Sequence, residues 1–290
     1  MTERDALHRF LIERTNVRGE WVHLDASWRA LLERVDYPPI VRNLLGQALA
    51  AVALLAATIK FDGSLTLQLN GDGPLHLMVV QATGQRTVRG LAHWRDEVPE
   101  GRLEQQFGQG RLAITIDPGA GSERYQGIVE IAGENMAELI TTYFERSEQL
   151  PTRLWLTADE RTAAGLLLQA LPSETRDPDA WNRAVMLADT LEDQELLTLD
   201  APVVLHRLYH EEDVRMFDRE PVAFRCGCSR ERVAEVLRAM GPEESASLLE
   251  EQGSIEVDCE FCGAHYHFDH VDVEALFTER PVLPGSRTEH

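Results

Sequence analysis

The spacing of apolar and polar positions changes along the chain, and each change marks a segment. Phe10-Leu11-Ile12-Glu13 and Trp21-Val22-His23-Leu24 are short apolar-rich runs broken around Asn16 and Gly19, which predicts two extended strands. Asp25 or Ser27 stands where a helix through Glu33 would need its cap. Tyr37-Pro38-Pro39 then breaks the chain and begins a long Ala/Leu helix ending near Lys60. Its apolar residues surround most of the axis, so it is expected to be buried. Its most apolar part, Leu44 to Ile59, falls short of the roughly 20 residues a membrane span needs.

From Phe61 the period becomes two. Leu65, Leu67 and Leu69 alternate with polar residues, Asn70-Gly71-Asp72-Gly73 turns the chain, and Leu75 to Val80 returns, the pattern of a hairpin. Further strands are expected at 86–92, 111–117 and 125–131, with Gly-rich turns at 108–110 and 119–121, then a helix over 136–147 and strands at 152–157 and 166–171. Strands joined by hairpins predominate, which predicts an α+β domain with a mostly antiparallel sheet around the long buried helix. This core domain spans 1–172.

Pro172 closes the core domain, and Ser173 to Pro178 is polar and turn-rich. Asp177-Pro178 has the form of a helix start. The helix after it would align Trp181, Val185, Ala188 and Leu191 on one face, and a second, from Asp200-Ala201-Pro202, would present Val204, Leu205, Leu208 and Tyr209. Residues 173–220 are amphipathic yet too short and acidic to hold a core of their own. They are expected to be a helical linker lying against a neighbour. Residues 221–290 form a third unit with few large apolar side chains.

Charge narrows the list of partners. The net charge is −21, and residues 173–290 carry most of it, with 11 Arg against 27 acidic residues. Such a surface repels phosphate backbones, so nucleic acid is not an expected partner. No apolar signal core follows Met1, and the long apolar run reads as a core helix. The expectation is a cytoplasmic protein without a membrane segment. Gly71-x-Gly73, Gly108-x-Gly110 and Gly119-x-Gly121 lack a phosphate-loop pattern and join apparent strands. Ser147 lacks a nucleophile elbow. Nothing points to an enzyme.

The candidate chemistry lies in the last quarter. The four cysteines of the chain come as Cys226-Gly227-Cys228 and Cys259-Glu260-Phe261-Cys262. Four thiolates complete a tetrahedral zinc site, and each short spacing lets one turn of backbone supply two ligands. A unit this small also needs such a staple, since a structural metal can contribute on the order of 10 kcal/mol to folding. Ser229 would cap a helix through Met240, ended by Gly241-Pro242, placing a positive helix end and Arg225, Arg230 and Arg232 near the thiolates. A short hairpin at 255–257 and 265–268 flanks the second cysteine pair, and a helical turn follows at 272–277. His265, His267 and His270 are nearby, but four cysteines already fill the site.

The words around these cysteines, Phe224 to Ser229, Gly253 to Cys262 and Tyr266-His267-Phe268-Asp269, resemble the C-terminal zinc module of the 33 kDa chaperonins, redox-regulated heat-shock holdases of bacteria. Tyr143-Phe144-Glu145-Arg146-Ser147-Glu148-Gln149-Leu150-Pro151-Thr152 and Gly165-Leu166-Leu167-Leu168-Gln169-Ala170-Leu171-Pro172 are similar to that family's core signatures. The resemblance spans nearly the whole chain. It departs at Arg146, where the family often has Gln, and at Ala164-Gly165, where it often has a Gly pair.

The resemblance implies an ATP-independent holdase, inactive while reduced and zinc-bound, which unfolds in part on oxidation and binds unfolding client proteins. It also suggests a reduced monomer and an oxidised homodimer. Metal-held thiolates are the oxidant-sensitive form, and a sulfenic acid condenses with a neighbouring thiol. The nearest partners in sequence give disulfides Cys226–Cys228 and Cys259–Cys262, and Zn2+ would leave. Two other readings stand beside this one. A constitutive zinc-ribbon adaptor would bind a protein partner without titrating its thiols. A thiol oxidoreductase would use Cys259 and Cys262, but lacks the βαβ setting of such sites.

Overall fold

The computed structural model describes residues 5–119, 122–172 and 177–278, which form two compact units, 1–225 and 226–290. The expected boundary at 173–178 and the turn at 119–121 lie partly outside the described residues.

The first unit opens with a hairpin, β1 (Ala6–Ile12) and β2 (Val17–Leu24), then α1 (Ala26–Leu32) and α2 (Pro39–Thr58). Neither Asp25 nor Ser27 caps α1 through its side chain. The carboxylate of Asp5 does so from a distance, accepting from the backbone N–H groups of Asp25, Ala26 and Ser27. Next come β3 (Ser64–Gly71), β4 (Leu75–Thr83), β5 (Thr87–Trp94), α3 (Leu103–Phe107), β6 (Gly110–Asp117) and β7 (Tyr125–Glu130). α4 (Met136–Tyr143) runs into a π-helical turn at Phe144–Glu148, so the single helix expected over 136–147 changes its winding half-way. β8 (Thr152–Ala158) and β9 (Ala163–Ala170) complete the strands of the core.

Two sheets enclose α2. One has β1, β2, β9 and β8 in antiparallel order; the other runs β5-β4-β3-β6-β7. Antiparallel hairpins dominate, as alternation along the strands predicts. The main core packs α2 residues such as Leu45, Leu49, Val52 and Leu55 against Val22, Leu67, Val80 and Leu167. At 20 residues α2 exceeds the apolar stretch seen in sequence and is long enough to cross a membrane. Burial settles its role, because 78% of its apolar window is inside the protein. Gly46 is required there: a Cβ would stand 2.4 Å from that of Ala158.

α5 (Ala180–Ala188), α6 (Asp193–Thr198) and α7 (Ala201–Tyr209) pack on the opposite face of the first sheet. Phe10, Ile12, Val17, Trp21, Leu166 and Leu168 meet Ala184, Ala188, Leu196, Val204, Leu205, Leu208 and Tyr209 in a second core. The expected face of α7 is therefore the buried one. For α5 the expectation holds except that Ala184 replaces Val185 on the buried face. Ala184 and Ala188 are buried, Trp181 and Leu191 only partly so, and Val185 is half-exposed at the edge. Small residues on α5 let it lie close to the sheet, which pushes its larger side chains to the margin. Polar ties fix the same layer: the Tyr209 hydroxyl donates to Ala184 O at 3.1 Å, and Trp155 Nε1 donates to Asp189 at 3.1 Å.

The chain then forms a strap. β10 (Val214–Met216) and β11 (Glu220–Pro221) pair antiparallel with β1, and β12 (Ala223–Phe224) pairs parallel with β5. The strap thus joins the edges of both sheets. Its three short strands gave no periodic signal in the sequence, because two or three residues cannot show alternation.

The second unit contains α8 (Arg230–Met240), α9 (Pro242–Gln252), β13 (Ile255–Asp258), β14 (His265–Phe268) and α10 (His270–Thr278). Gly241-Pro242 ends α8 as expected and also starts α9, with Pro at its first position and Glu243 and Glu244 in its first turn. The small core holds Ala234, Leu237, Leu249, Ile255, Phe268 and Val273.

A candidate metal centre of four thiols

Cys226 and Cys228 precede α8, whose start is fixed by Ser229: its hydroxyl accepts from Arg232 N at 3.3 Å. Cys259 and Cys262 lie on the turn between β13 and β14. That turn closes through Cys259 N to Ala264 O at 2.9 Å and Gly263 N to Cys259 O at 2.6 Å. Gly263 has φ +64°, the left-handed region that lets the turn double back beside its cysteines.

The two turns bring all four sulfurs within 4.8 Å of one another. Cys226 Sγ lies 3.5 Å from Cys259 Sγ, and Cys228 Sγ lies 3.2 Å from Cys262 Sγ. A tetrahedral zinc with bonds of about 2.3 Å would set sulfurs about 3.8 Å apart. The donor set and its spacing therefore fit one such ion with shifts of a few tenths of an ångström. No histidine joins the cluster among the described residues. His265 is exposed and instead pairs with Asp258 at 2.8 Å, which raises its pKa.

The electrostatics of the cluster favour a cation beside these sulfurs. Burial pushes the Cys262 thiol up to about 12, reinforced by the neighbouring sulfurs. Burial likewise raises Cys259, against backbone N–H groups of Cys262 and Phe261 directed at it. Cys228 is pushed up by burial too, but the Tyr266 hydroxyl and the surrounding thiols outweigh that and leave it at about 7. One thiolate can form here and suppress the others; a divalent metal would let all four ionise together.

Tyr266 enters the sequence reading only as part of the resemblance, with no role at the thiols. Its hydroxyl donates to Cys228 Sγ at 3.1 Å. The only available signal was its place on a strand beside the second cysteine pair. Of the arginines expected to face the thiolates, Arg232 donates to Gly227 O at 2.6 Å, inside the first cysteine turn. Arg230 is engaged elsewhere, pairing with Asp272 at 2.8 Å and lying over the Phe268 ring.

The Hsp33 protein family profile matches residues 5–269. The chain belongs to the Hsp33 protein family. It is 56% identical over 290 residues to the 33 kDa chaperonin of Nitrosococcus oceani, covering 100% of both chains. It is 49% identical to that of Methylobacillus flagellatus, covering 99% of each. The crystal structure of the 33 kDa chaperonin from Thermotoga maritima shares the fold, with a TM-score of 0.80 at 24% identity, over 94% of this chain and 97% of that one. Membership places the chain among heat-shock chaperones, and the family is not named for any enzymatic activity.

Proposed function

We propose that this chain is a redox-regulated, ATP-independent holdase in which Cys226, Cys228, Cys259 and Cys262 hold one Zn2+ in the reduced form. The observation that carries the reading is the convergence of four thiols within 4.8 Å, directly after a strap that closes the linker helices over an apolar sheet face. Bound zinc would keep all four sulfurs as thiolates and brace the small core of the second unit.

The chain's own groups supply the switch. A peroxide oxidises one thiolate to a sulfenic acid, and its distal oxygen leaves as hydroxide. A second thiol attacks that sulfur, forms the S–S bond and releases the oxygen as water. All pairings lie within reach in the cluster. Pairing within each word, Cys226–Cys228 and Cys259–Cys262, needs only one turn of backbone to persist as the unit loosens. Disulfides are poor zinc ligands, so oxidation expels the metal and the small core loses its brace.

Arg225 N donates to Val88 O at 3.1 Å, one residue before Cys226, so disorder beginning at the cysteines pulls directly on β12. Release of the strap and of α5 to α7, the switch segment 173–220, then exposes Phe10, Trp21, Leu166 and Leu168 and their helical partners to unfolding clients. A reduced monomer and an oxidised homodimer fit this exposure, and a reducing cytoplasm fits the thiol chemistry.

The test treats reduced protein with hydrogen peroxide under mild heat, measuring zinc release, hydrogen exchange and light scattering of a heat-unfolding client. Expected are loss of one zinc per chain, lost protection from about residue 177 onward, and suppressed aggregation. Metal retention with no holdase activity would favour a constitutive zinc-ribbon adaptor.

A further inference from the structure

Glu20 is a buried acid that the redox switch does not use. It lies on the α2-facing side of β2, opposite Arg9 of β1, and is 2% exposed. Its Oε2 has no hydrogen-bond partner. A buried carboxylate oxygen left without a hydrogen bond costs about 1–3 kcal/mol.

Glu20 also lines a cavity of about 690 Å3, within the roughly 300–1,000 Å3 of small-molecule sites. Glu20 and Arg9 line one side, Lys60, Phe61 and Asp62 the turn after α2, Arg86 the turn before β5, and Phe217 the strap. Two further observations give the cavity chemical character. Arg18 is spent on Gln169 and Thr58 O, and Arg86 on Glu220 and Ala56 O, so their charges are fixed in place. Lys60, by contrast, is exposed and has no ion partner among the described residues. It is also the only lysine in the chain. The cavity therefore offers a free cation at its rim, an unpartnered acid in its wall, and the rings of Phe61 and Phe217.

We propose that this cavity binds a small organic anion that also carries a hydrogen-bond donor, its phosphate or carboxylate meeting Lys60 and its N–H or O–H meeting Glu20. The half-exposed ring of Phe217, held between Arg9 and Arg215, covers the apolar middle of such a ligand. Phe217 belongs to the strap, and its N–H donates to Arg9 O at 2.9 Å. The site is thus whole only while the strap is closed. A ligand at a hundred times its Kd would disfavour opening about a hundredfold, so the occupant acts as a brake on activation. The brake rests on the proposed holdase; the binding itself does not.

Reductive 13C-dimethylation of the full reduced, zinc-loaded chain gives one lysine signal beside that of the N-terminal amine. Adenosine monophosphate, L-glutamate and inorganic phosphate are titrated to millimolar concentration. The proposal expects a saturable shift of the Lys60 signal with adenosine monophosphate or glutamate, the two arms separating phosphate from carboxylate. Affinity should fall at least tenfold in Glu20→Gln and in Phe217→Ala, each checked for folding by circular dichroism. No saturable shift with either organic anion overturns the site, as does an unchanged shift in a folded Glu20→Gln. Inorganic phosphate binding as tightly as both organic anions overturns the role of Glu20. These readouts are independent of aggregation assays, so a failed site and a failed holdase reading are told apart.

Discussion

Arg86 Nε donates to Glu220 Oε2 at 2.6 Å, and the other oxygen of that carboxylate lies 2.7 Å from Arg9 Nη2. Glu220 belongs to β11 of the strap, Arg9 to β1 of the first sheet, and Arg86 stands just before β5 of the second. Arg86 reaches this position with φ +60°, unusual for a residue with a Cβ, and its carbonyl also accepts from Ala223 N at 3.1 Å. Its Nη1 binds Ala56 O at the end of α2 as well. One side chain therefore ties the strap, both sheets and the buried helix together.

Replacing Glu220 by Gln keeps the shape and removes the charge. The one charge-assisted hydrogen bond, from Arg86, contributes about 1.5–3 kcal/mol, less where water reaches it, as it does here. Hydrogen exchange over 214–225 should rise about tenfold in reduced protein, with zinc content unchanged. Wild-type protection would show that the backbone pairing of the strap suffices alone.

The docked helices supply a second prediction. Leu205 is 2% exposed against the first sheet. Leu205→Asp would place a charge there and weaken docking by about 3 kcal/mol or more. Light scattering of a heat-unfolding client in reductant should show aggregation suppressed while zinc remains bound. An undocked yet inactive variant would mean that opening of the helices is not the switch.

At the thiol cluster, Tyr266→Phe removes one hydroxyl and its bond to Cys228. Outer partners of metal ligands typically matter ten- to a hundredfold in affinity. Zinc affinity by chelator competition should drop within that range, and the Cys228 thiol should titrate higher in the metal-free protein. Cys259→Ser should lose affinity far more steeply than Tyr266→Phe.

Glu20 gives a pH dependence. Burial raises its pKa from 4.5 to about 7, against the pull of Arg18, Arg9 and Arg86. The folded state therefore binds its proton more tightly than the unfolded state. The associated stability is present below about pH 4.5 and is lost as pH rises through about 7. Glu20→Gln should match wild type near pH 4.5 and exceed it at pH 8 by on the order of 3 kcal/mol, read from urea unfolding with zinc bound. A constant difference between pH 5 and 8 would show that Glu20 does not titrate in this window.

Much of the fold was legible because its signals are local. Alternation at Leu65, Leu67 and Leu69 fixes which face of β3 is buried. The Ala/Leu run of α2 marks a long apolar helix, and the face of α7 repeats at helical spacing. What escaped was local structure set by distant partners. Asp5 caps α1 from about twenty residues away. On α5, Ala188 docks as its spacing implies, but Ala184 takes the place expected of Val185, because closeness to the sheet favours small side chains.

The sequence by itself determined the chemistry of the candidate centre. Four cysteines in two tight pairs name a donor set and its spacing, since a turn of backbone is all that two neighbouring ligands need. It could not determine that the shortest sulfur contacts run between the words, Cys226 to Cys259 and Cys228 to Cys262, nor that Tyr266 donates to one of them. It gave no sign of the strap, whose two- and three-residue strands exist only because β1 and β5 offer unpaired edges. Nor could it bring Glu20, Lys60 and Phe217 to one cavity. Those relationships join residues tens to nearly two hundred positions apart, and only packing of the whole chain brings such groups within a few ångströms.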